Sequence, residues 1–448
     1  MWDVLNDGAE RAIAYLESLP ERHIAPEPAS VERLGALDTP LPEGPSDPRE
    51  TIAALDSYPD GIMAMGSPRF FGFVIGGALP VTVAANWLAT AWDQNAAYMA
   101  TTPTVARVEE IALRWLVDLL GLPAGAGAGF VTGATVANFS CLLAARHSVL
   151  QRAGWDVEAD GLFGAPAVSV IIGGEGHPTV FKSLGMAGFG RNRVIRVPVD
   201  DQGRMRADAL PDITGSAIVI TQAGNVNTGA FDPFEEIIPW AHAANAWVHV
   251  DGAFGLWAGA APSTRHLLRG AEAADSWATD AHKFLNTPYD SGLAFVRQPD
   301  TLRAAMAITA AYLPSNTRRD PSDYTPELSR RARGVEVWAA LHALGRAGVA
   351  ELVERLCGCA RRFADGMAAG GYPPLNDVEF NQALFEFGGD ERTRRVISSI
   401  QEDGTCWCGV TVWQGRTAMR VSVSNWATSE ADVDRSVETI LRIARDHA

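Results

Sequence analysis

Six short apolar runs, each five to nine residues long, constrain this chain more than any other feature. They are GFVTG (129–133), AVSVIIG (167–173), RVIRVPV (193–199), SAIVITQAG (216–224), AWVHVDG (246–252) and SGLAFV (291–296). Glycine bounds most of them and amphipathic segments separate them. Runs of this kind read as parallel strands buried on both faces, which requires a sheet covered by helices. Such a sheet binds ligands outside the carboxyl ends of its strands. Residues able to do chemistry follow the runs: Gly133-Ala134-Thr135, Glu175-Gly176-His177, Gln222 to Asn227, and Asp251.

The ends of the chain have other textures. Val4, Leu5, Ala9, Ile13 and Leu16 have helical spacing, and the stretch from Pro26 to Pro48 is rich in Pro and Glu, like an extended connector. From about residue 330 a long helical pattern begins (RRARGVEVWAALHALGRAG, then AELVERLCGCARRFADGMAAG), followed by strand-like ALFEF and TAMRVSVSN and a last helix from Ser429. The expected organisation is an N-terminal helical arm and linker over 1–60, a large α/β domain over 61–325 and a smaller α+β domain over 326–448.

Bulk properties exclude several partner classes. A chain of 448 residues, 47% apolar, can bury a large core. Its formal net charge of −16 repels polyphosphate and anionic lipid, so neither nucleic acid nor a membrane surface is expected as a partner. No apolar run reaches the roughly 20 residues of a membrane helix, and the start lacks a basic region followed by an apolar stretch, which reads as a soluble cytoplasmic chain. Cys141, Cys357, Cys359, Cys406 and Cys408 lack zinc-site spacing and read as reduced structural thiols, with no metal.

The chemistry centres on one lysine. Asp251 ends an apolar run in HVDGAFGLWAG, and Lys283 follows a histidine in DSWATDAHKFLNTPYDSG. A pyridoxal 5′-phosphate (PLP) site needs both residue types. A lysine amine forms an imine with the cofactor aldehyde, and a carboxylate keeps the pyridine nitrogen protonated so that the ring accepts electrons. Gly133-Ala134-Thr135 enters a helical pattern, and backbone N–H groups at a helix start favour an anion such as phosphate.

The ordered series WDQN (92–95), TGATVANFSCLLAAR (132–146), GHPTVFKSLGMAGFG (176–190), NTGAFDP (227–233), HVDGAFG (249–255) and DAHKFLNTPYDSG (280–292) resembles the group II PLP-dependent amino-acid decarboxylases, relatives of aromatic-L-amino-acid decarboxylase. The resemblance runs from about Ser67 to the C-terminus. It implies fold type I of the aspartate aminotransferase superfamily, with a mostly parallel seven-stranded sheet between helices. It also implies α-decarboxylation of an L-amino acid, and a homodimer whose subunits share active sites.

By the same resemblance Lys283 carries the Schiff base, Asp251 faces the pyridinium, His177 stacks on the ring and Ala253 is the small residue on its other face. Gly133, Ala134 and Thr135 form the phosphate turn, and His282 contacts phosphate or substrate. Asp280 stands where many members have Asn, and near a phosphate it must face away or pair with a cation. Asn225 or Asn227 is expected at the cofactor's 3-hydroxyl. Tyr312 and Tyr324 are the candidates for the Cα proton donor, with an ordinary loop or helix contact as the alternative. Phe71, Phe73 and Trp92 are expected at an aromatic or bulky apolar substrate, with core packing as their alternative reading. Arg420 is either a carboxylate ligand or a structural ion pair. A C–C lyase or aldolase, an aldehyde-forming decarboxylase and an aminotransferase remain open on the same fold, as does a non-catalytic PLP-fold protein.

Overall fold

The computed structural model describes residues 2–308 and 318–447. The chain divides into two compact units, one of Ala78–Gly358 with Asn376–Gln382, the other of Met1–Gly77, Cys359–Leu375 and Ala383–Ala448.

The larger unit holds seven strands: β1 Gly127–Val131, β2 Val168–Gly173, β3 Ile195–Val197, β4 Ser216–Gln222, β5 Trp247–Asp251, β6 Ser276–Asp280 and β7 Gly292–Val296. Their order across the sheet is β1-β7-β6-β5-β4-β2-β3. β7 pairs antiparallel with both β1 and β6, and the remaining pairs are parallel. All six apolar runs contain strands. β5, β6 and β7 are buried along their whole length, as a sheet covered on both faces requires.

β6 lies outside the six runs because its sequence, SWATD, is largely polar. Its polar groups are satisfied from neighbouring elements: Ser276 Oγ accepts from Trp247 Nε1 at 2.9 Å, and Asp280 accepts from a backbone N–H. The helix Ala134–Arg152 starts two residues after β1 and buries Ala137, Cys141, Leu142 and Ala145 in the core of this unit. Helices at Pro80–Trp92, Pro103–Leu119 and Pro178–Met186 each begin with proline, whose fixed φ and missing N–H suit a first helical position.

The smaller unit contains a three-stranded sheet of order β8-β10-β9, with β8 Gln382–Phe385, β9 Gly409–Trp413 and β10 Arg416–Ser422. The N-terminal segment Met1–Gly77 falls in this unit. Phe70 stacks on Trp407 with centroids 5.0 Å apart, Arg69 pairs with Asp432 at 3.2 Å, and Ile24 N donates to the Gly404 carbonyl at 3.1 Å. The larger unit continues to Gly358. The long helical pattern is one element, Gly334–Ala369, interrupted at Gly345 (φ 61°, ψ −179°). Among the described residues no helix is long and apolar enough to cross a membrane.

A buried ion cluster braces the larger unit. Glu109, 1% exposed, receives Arg330 Nη1 at 2.7 Å and Arg319 Nη1 at 3.3 Å, and Arg330 also donates to the Ala96 and Phe130 carbonyls, both at 2.9 Å. Glu109→Ala would leave the Arg330 charge buried without its carboxylate. The variant is expected to lose about 3–5 kcal/mol of stability in urea denaturation.

Candidate active site

The parallel strands end their carboxyl termini on one side, and the chemistry collects there. Asp251 ends β5 and Asp280 ends β6 on the neighbouring strand, with Asp251 opposite Ala278 in the register. The tight loop after β6 brings Lys283 back, so that its Nζ lies 3.1 Å from Asp280 Oδ2. Asn286 holds this turn through its amide, which donates to the Lys283 carbonyl at 2.9 Å and the Phe284 carbonyl at 2.8 Å. The chain contains only two lysines, Lys182 and Lys283, a signal that sequence reasoning passed over. Lys182 is exposed, whereas the Lys283 side chain is 17% exposed and its ammonium lies 5.8 Å from the Phe254 ring centre.

Asp280 is paired with a cation, as expected of it if the neighbouring turn takes an anion. Its Oδ2 pairs with Lys283 and lies 3.5 Å from His282 Nε2, and its Oδ1 accepts from Ala134 N at 2.6 Å. Ala134 is the first residue of the helix Ala134–Arg152, so the carboxylate sits at the positive end of that helix. His282 is oriented by Ser291 N, which donates to its Nδ1 at 3.1 Å, and by Tyr289, stacked at 4.2 Å. Burial holds the His282 pKa below its ordinary value, against the pull of Asp280.

Asp251 is 4% exposed, and burial pushes its pKa up to about 6. The Lys283 charge, the Ala253 N–H (3.2 Å from Oδ1) and the Asn138 side chain pull the other way. His177 caps the helix Pro178–Met186: its Nδ1 lies 2.7 Å from Thr179 Oγ1 and accepts from Thr179 N at 3.4 Å. His177, Gln222, Asp232 and Asp251 border one cavity. Asp232, buried with its pKa raised to about 6, accepts from Met205 N and Gln222 N, both at 2.7 Å, and so fixes the end of β4.

The turn Gly133–Thr135 has room because its neighbour has no side chain. A Cβ on Gly292 would lie 2.4 Å from Gly133 Cα and 2.7 Å from its nitrogen. Gly292→Ala must displace the turn, and we expect PLP affinity to fall about tenfold or more with about 1–3 kcal/mol of stability lost, read by cofactor titration and thermal melting.

Other expected site residues are placed differently. Asn225 Oδ1 accepts from Asn227 N (2.8 Å) and Thr228 N (3.2 Å), which makes Asn225 the former of its own turn. Tyr324 lies against the edge strand β1, its carbonyl facing Gly129 and its ring 4.4 Å from the Arg319 guanidinium, which is a loop contact. Tyr312 lies outside the described residues. Phe71 is a core residue of the smaller unit, edge-on to Phe363 at 5.3 Å. Phe73 is 58% exposed beside Trp407, and Trp92, 44% exposed, ends the helix Pro80–Trp92 of the other unit. Arg420 lies in β10, where burial lowers its pKa.

Sequence reasoning missed Asn138 and His249, both fully buried and joined at 2.8 Å, with His249 two residues before Asp251 on β5. The alternation in WVHVD was a sufficient signal for His249, because residues i and i+2 of a strand share a face.

The site suits PLP by its donor set: a small-residue turn at a helix start for phosphate, an enclosed carboxylate for a protonated ring nitrogen, and a partly buried amine that follows β6, which lies between β1 and β5 in the sheet. The comparisons agree. The pyridoxal-dependent decarboxylase conserved domain matches residues 47–372. The chain is 27% identical over 421 residues to tryptophan decarboxylase 1 of Oryza sativa subsp. japonica, covering 85% of this chain and 81% of that one. It is 27% identical over 438 residues to aromatic-L-amino-acid decarboxylase of Bacillus atrophaeus (92% and 88%), and 28% identical over 392 residues to L-2,4-diaminobutyrate decarboxylase of Rhizobium meliloti (81% and 74%). The crystal structure of Oryza sativa TDC with PLP and tryptamine superposes with a TM-score of 0.91 at 23% identity, covering 99% of this chain and 97% of that one, which establishes the fold. The chain therefore belongs to the pyridoxal-dependent decarboxylase family and is a PLP-dependent amino-acid carboxy-lyase.

Proposed function

We propose that the substrate is an aromatic L-amino acid, decarboxylated at Cα to its amine. The observation that carries the site reading is the placement of the one sequestered lysine, Lys283, at the carboxyl ends of two adjacent strands that end in buried carboxylates, Asp251 and Asp280. PLP, when bound to an amino acid, draws the electrons of a breaking Cα bond into its ring. Lys283 would hold the cofactor covalently and yield its place to the substrate amine. Asp251 would hold the ring nitrogen protonated, His177 and Ala253 would confine the ring, and Gly133, Ala134 and Thr135 would hold the phosphate. Asp280 anchors Lys283 and the first N–H of the phosphate-facing helix together, which aligns the amine with the turn.

Aromatic specificity is supported by the relatives that match over most of the chain, named for tryptophan and for aromatic L-amino acids. A relative of similar identity is named for 2,4-diaminobutyrate, and one from Bos taurus for acidic amino acids, so the substrate must be decided by assay. Purified holoenzyme is offered L-tryptophan, L-tyrosine, L-phenylalanine, L-glutamate and L-2,4-diaminobutyrate, and products are identified by mass. An aromatic amine formed in equal amount with carbon dioxide is expected. Preferential turnover of the acidic or diamino substrate overturns the specificity, and an aldehyde product overturns the reaction.

The homodimer is part of the same proposal. Val81, Trp87, Leu88 and Trp92, 40–54% exposed along the helix Pro80–Trp92, leave an apolar face of the kind that subunit interfaces cover. Light scattering is expected to give twice the chain mass. All five cysteines are free and buried, which supports residence in a reducing compartment.

A further inference from the structure

Asp280 stands at the turn that the reading above gives to a phosphate, and it is itself an anion. Its Oδ1 accepts from Ala134 N at 2.6 Å, a short charge-assisted bond that takes up the first N–H of the helix Ala134–Arg152. A Cβ built on Gly133 would lie 3.5 Å from the same oxygen, so the turn and the carboxylate are immediate neighbours. Asp280 is 3% exposed, and salt and water screen it little.

The charges around this carboxylate can be counted. Lys283 Nζ lies 3.1 Å and His282 Nε2 3.5 Å from its Oδ2. His282 is not a second cation: its Nδ1 accepts from Ser291 N at 3.1 Å, and burial holds its pKa below the ordinary value. The other titratable groups coupled to Asp280, Asp251 on β5 and Tyr289 beside His282, bring no positive charge. Lys283 is therefore the one side-chain cation facing Asp280 among the described residues, and the helix start adds only about half a charge. A phosphate monoester, whose second ionisation falls near about pH 6, carries close to two negative charges at neutral pH. Two anions in one site hold a proton between them.

We propose that Asp280 and the bound phosphate share one proton, so that Asp280 makes the turn select a phosphate monoester in its monoanionic form. The inference rests on the reading of Gly133–Thr135 as the phosphate turn. Lys283 can supply the proton from 3.1 Å away. When it joins the cofactor aldehyde, its ammonium gives up one proton, the nitrogen bonds the aldehyde carbon, and the carbonyl oxygen leaves as water with the two protons left on nitrogen. The proton given up is the one the two anions keep. An asparagine at 280 would accept from Ala134 N and donate to the phosphate, and the dianion would then be the better ligand.

The test reads phosphorus rather than turnover. PLP-reconstituted protein is followed by phosphorus-31 NMR from about pH 6 to about pH 8, the range in which a free phosphate monoester moves from its monoanionic to its dianionic chemical shift. Bound PLP in the unaltered protein is expected to stay at the monoanionic position throughout, and in Asp280→Asn to stand at the dianionic position from about pH 7 upward. Titration of cofactor-free protein gives a second readout. Asp280→Asn is expected to bind PLP about tenfold or more tightly than wild type at about pH 8, and less than about threefold more tightly at about pH 6, where the monoanion is plentiful. A dianionic shift in the unaltered protein at neutral pH overturns the proposal, as does PLP binding by Asp280→Asn that is no tighter at the higher pH. Gly292→Ala, which displaces the turn, separates this failure from that of the reading beneath it. A phosphorus resonance that neither variant moves puts the phosphate elsewhere, whereas one that only Gly292→Ala moves leaves the phosphate at the turn and removes the shared proton.

Discussion

Replacing Lys283 by alanine is expected to lower amine formation by about 10³-fold or more while the protein stays folded. In the proposed role the side chain is a nucleophile whose work is covalent, and the other lysine is not placed to replace it: Lys182 is exposed on the helix Pro178–Met186. The fold should tolerate the loss, because the Lys283 side chain contributes one ion pair, to Asp280 at 3.1 Å, and a ring contact with Phe254. Asp280 keeps its bond from Ala134 N at 2.6 Å. The check is steady-state product formation beside a thermal melt, and a rate within tenfold of wild type with an unchanged melt contradicts the assignment.

Asp251→Asn is expected to act in opposite directions on chemistry and on stability. Activity should fall about 10²-fold or more, because a neutral amide cannot hold the ring nitrogen protonated. Cofactor-free protein should gain stability above pH 6. The folded pKa of Asp251 is about 6, above the ordinary aspartate value of about 3.9. Between these values the folded protein holds a proton that the unfolded chain has released. Stability therefore declines as pH rises through this window, by about 3 kcal/mol, and the deficit persists at higher pH. The variant lacks this decline. Asp232, also raised to about 6, contributes a like slope to both proteins, so the difference between their urea-denaturation curves from pH 4.5 to 8 isolates Asp251. Parallel curves would contradict the account. A site that burdens the unliganded fold with a buried charge is one whose ligand supplies the balancing charge.

Most of the sheet was legible because its strands are apolar and short. β6 was not, since Ser276, Thr279 and Asp280 look like loop residues until their partners on β5 and at the start of the helix Ala134–Arg152 are seen. Nor was the reversed sense of β7, because an apolar run does not state its direction. Asp251 and His177 were singled out because they follow apolar runs, and in a parallel sheet residues after strands share an end, where the structure also brings Lys283 after β6. Asp280 was anticipated as an anion in need of a cation, and the structure pairs it with Lys283. Asn138 escaped notice because one asparagine within a helical pattern carries no period. The division at Gly77 and Gly358 escaped for a related reason: it depends on contacts such as Phe70 with Trp407, far apart in the chain.

The central claim is that the cofactor aldehyde joins Lys283. After reconstitution with PLP the protein is reduced with borohydride, digested and mapped by mass. With two lysines in the chain, the account predicts a pyridoxyl adduct on the peptide containing Lys283 and none on that containing Lys182. An adduct confined to Lys182, or no adduct with the protein saturated in PLP, would contradict it.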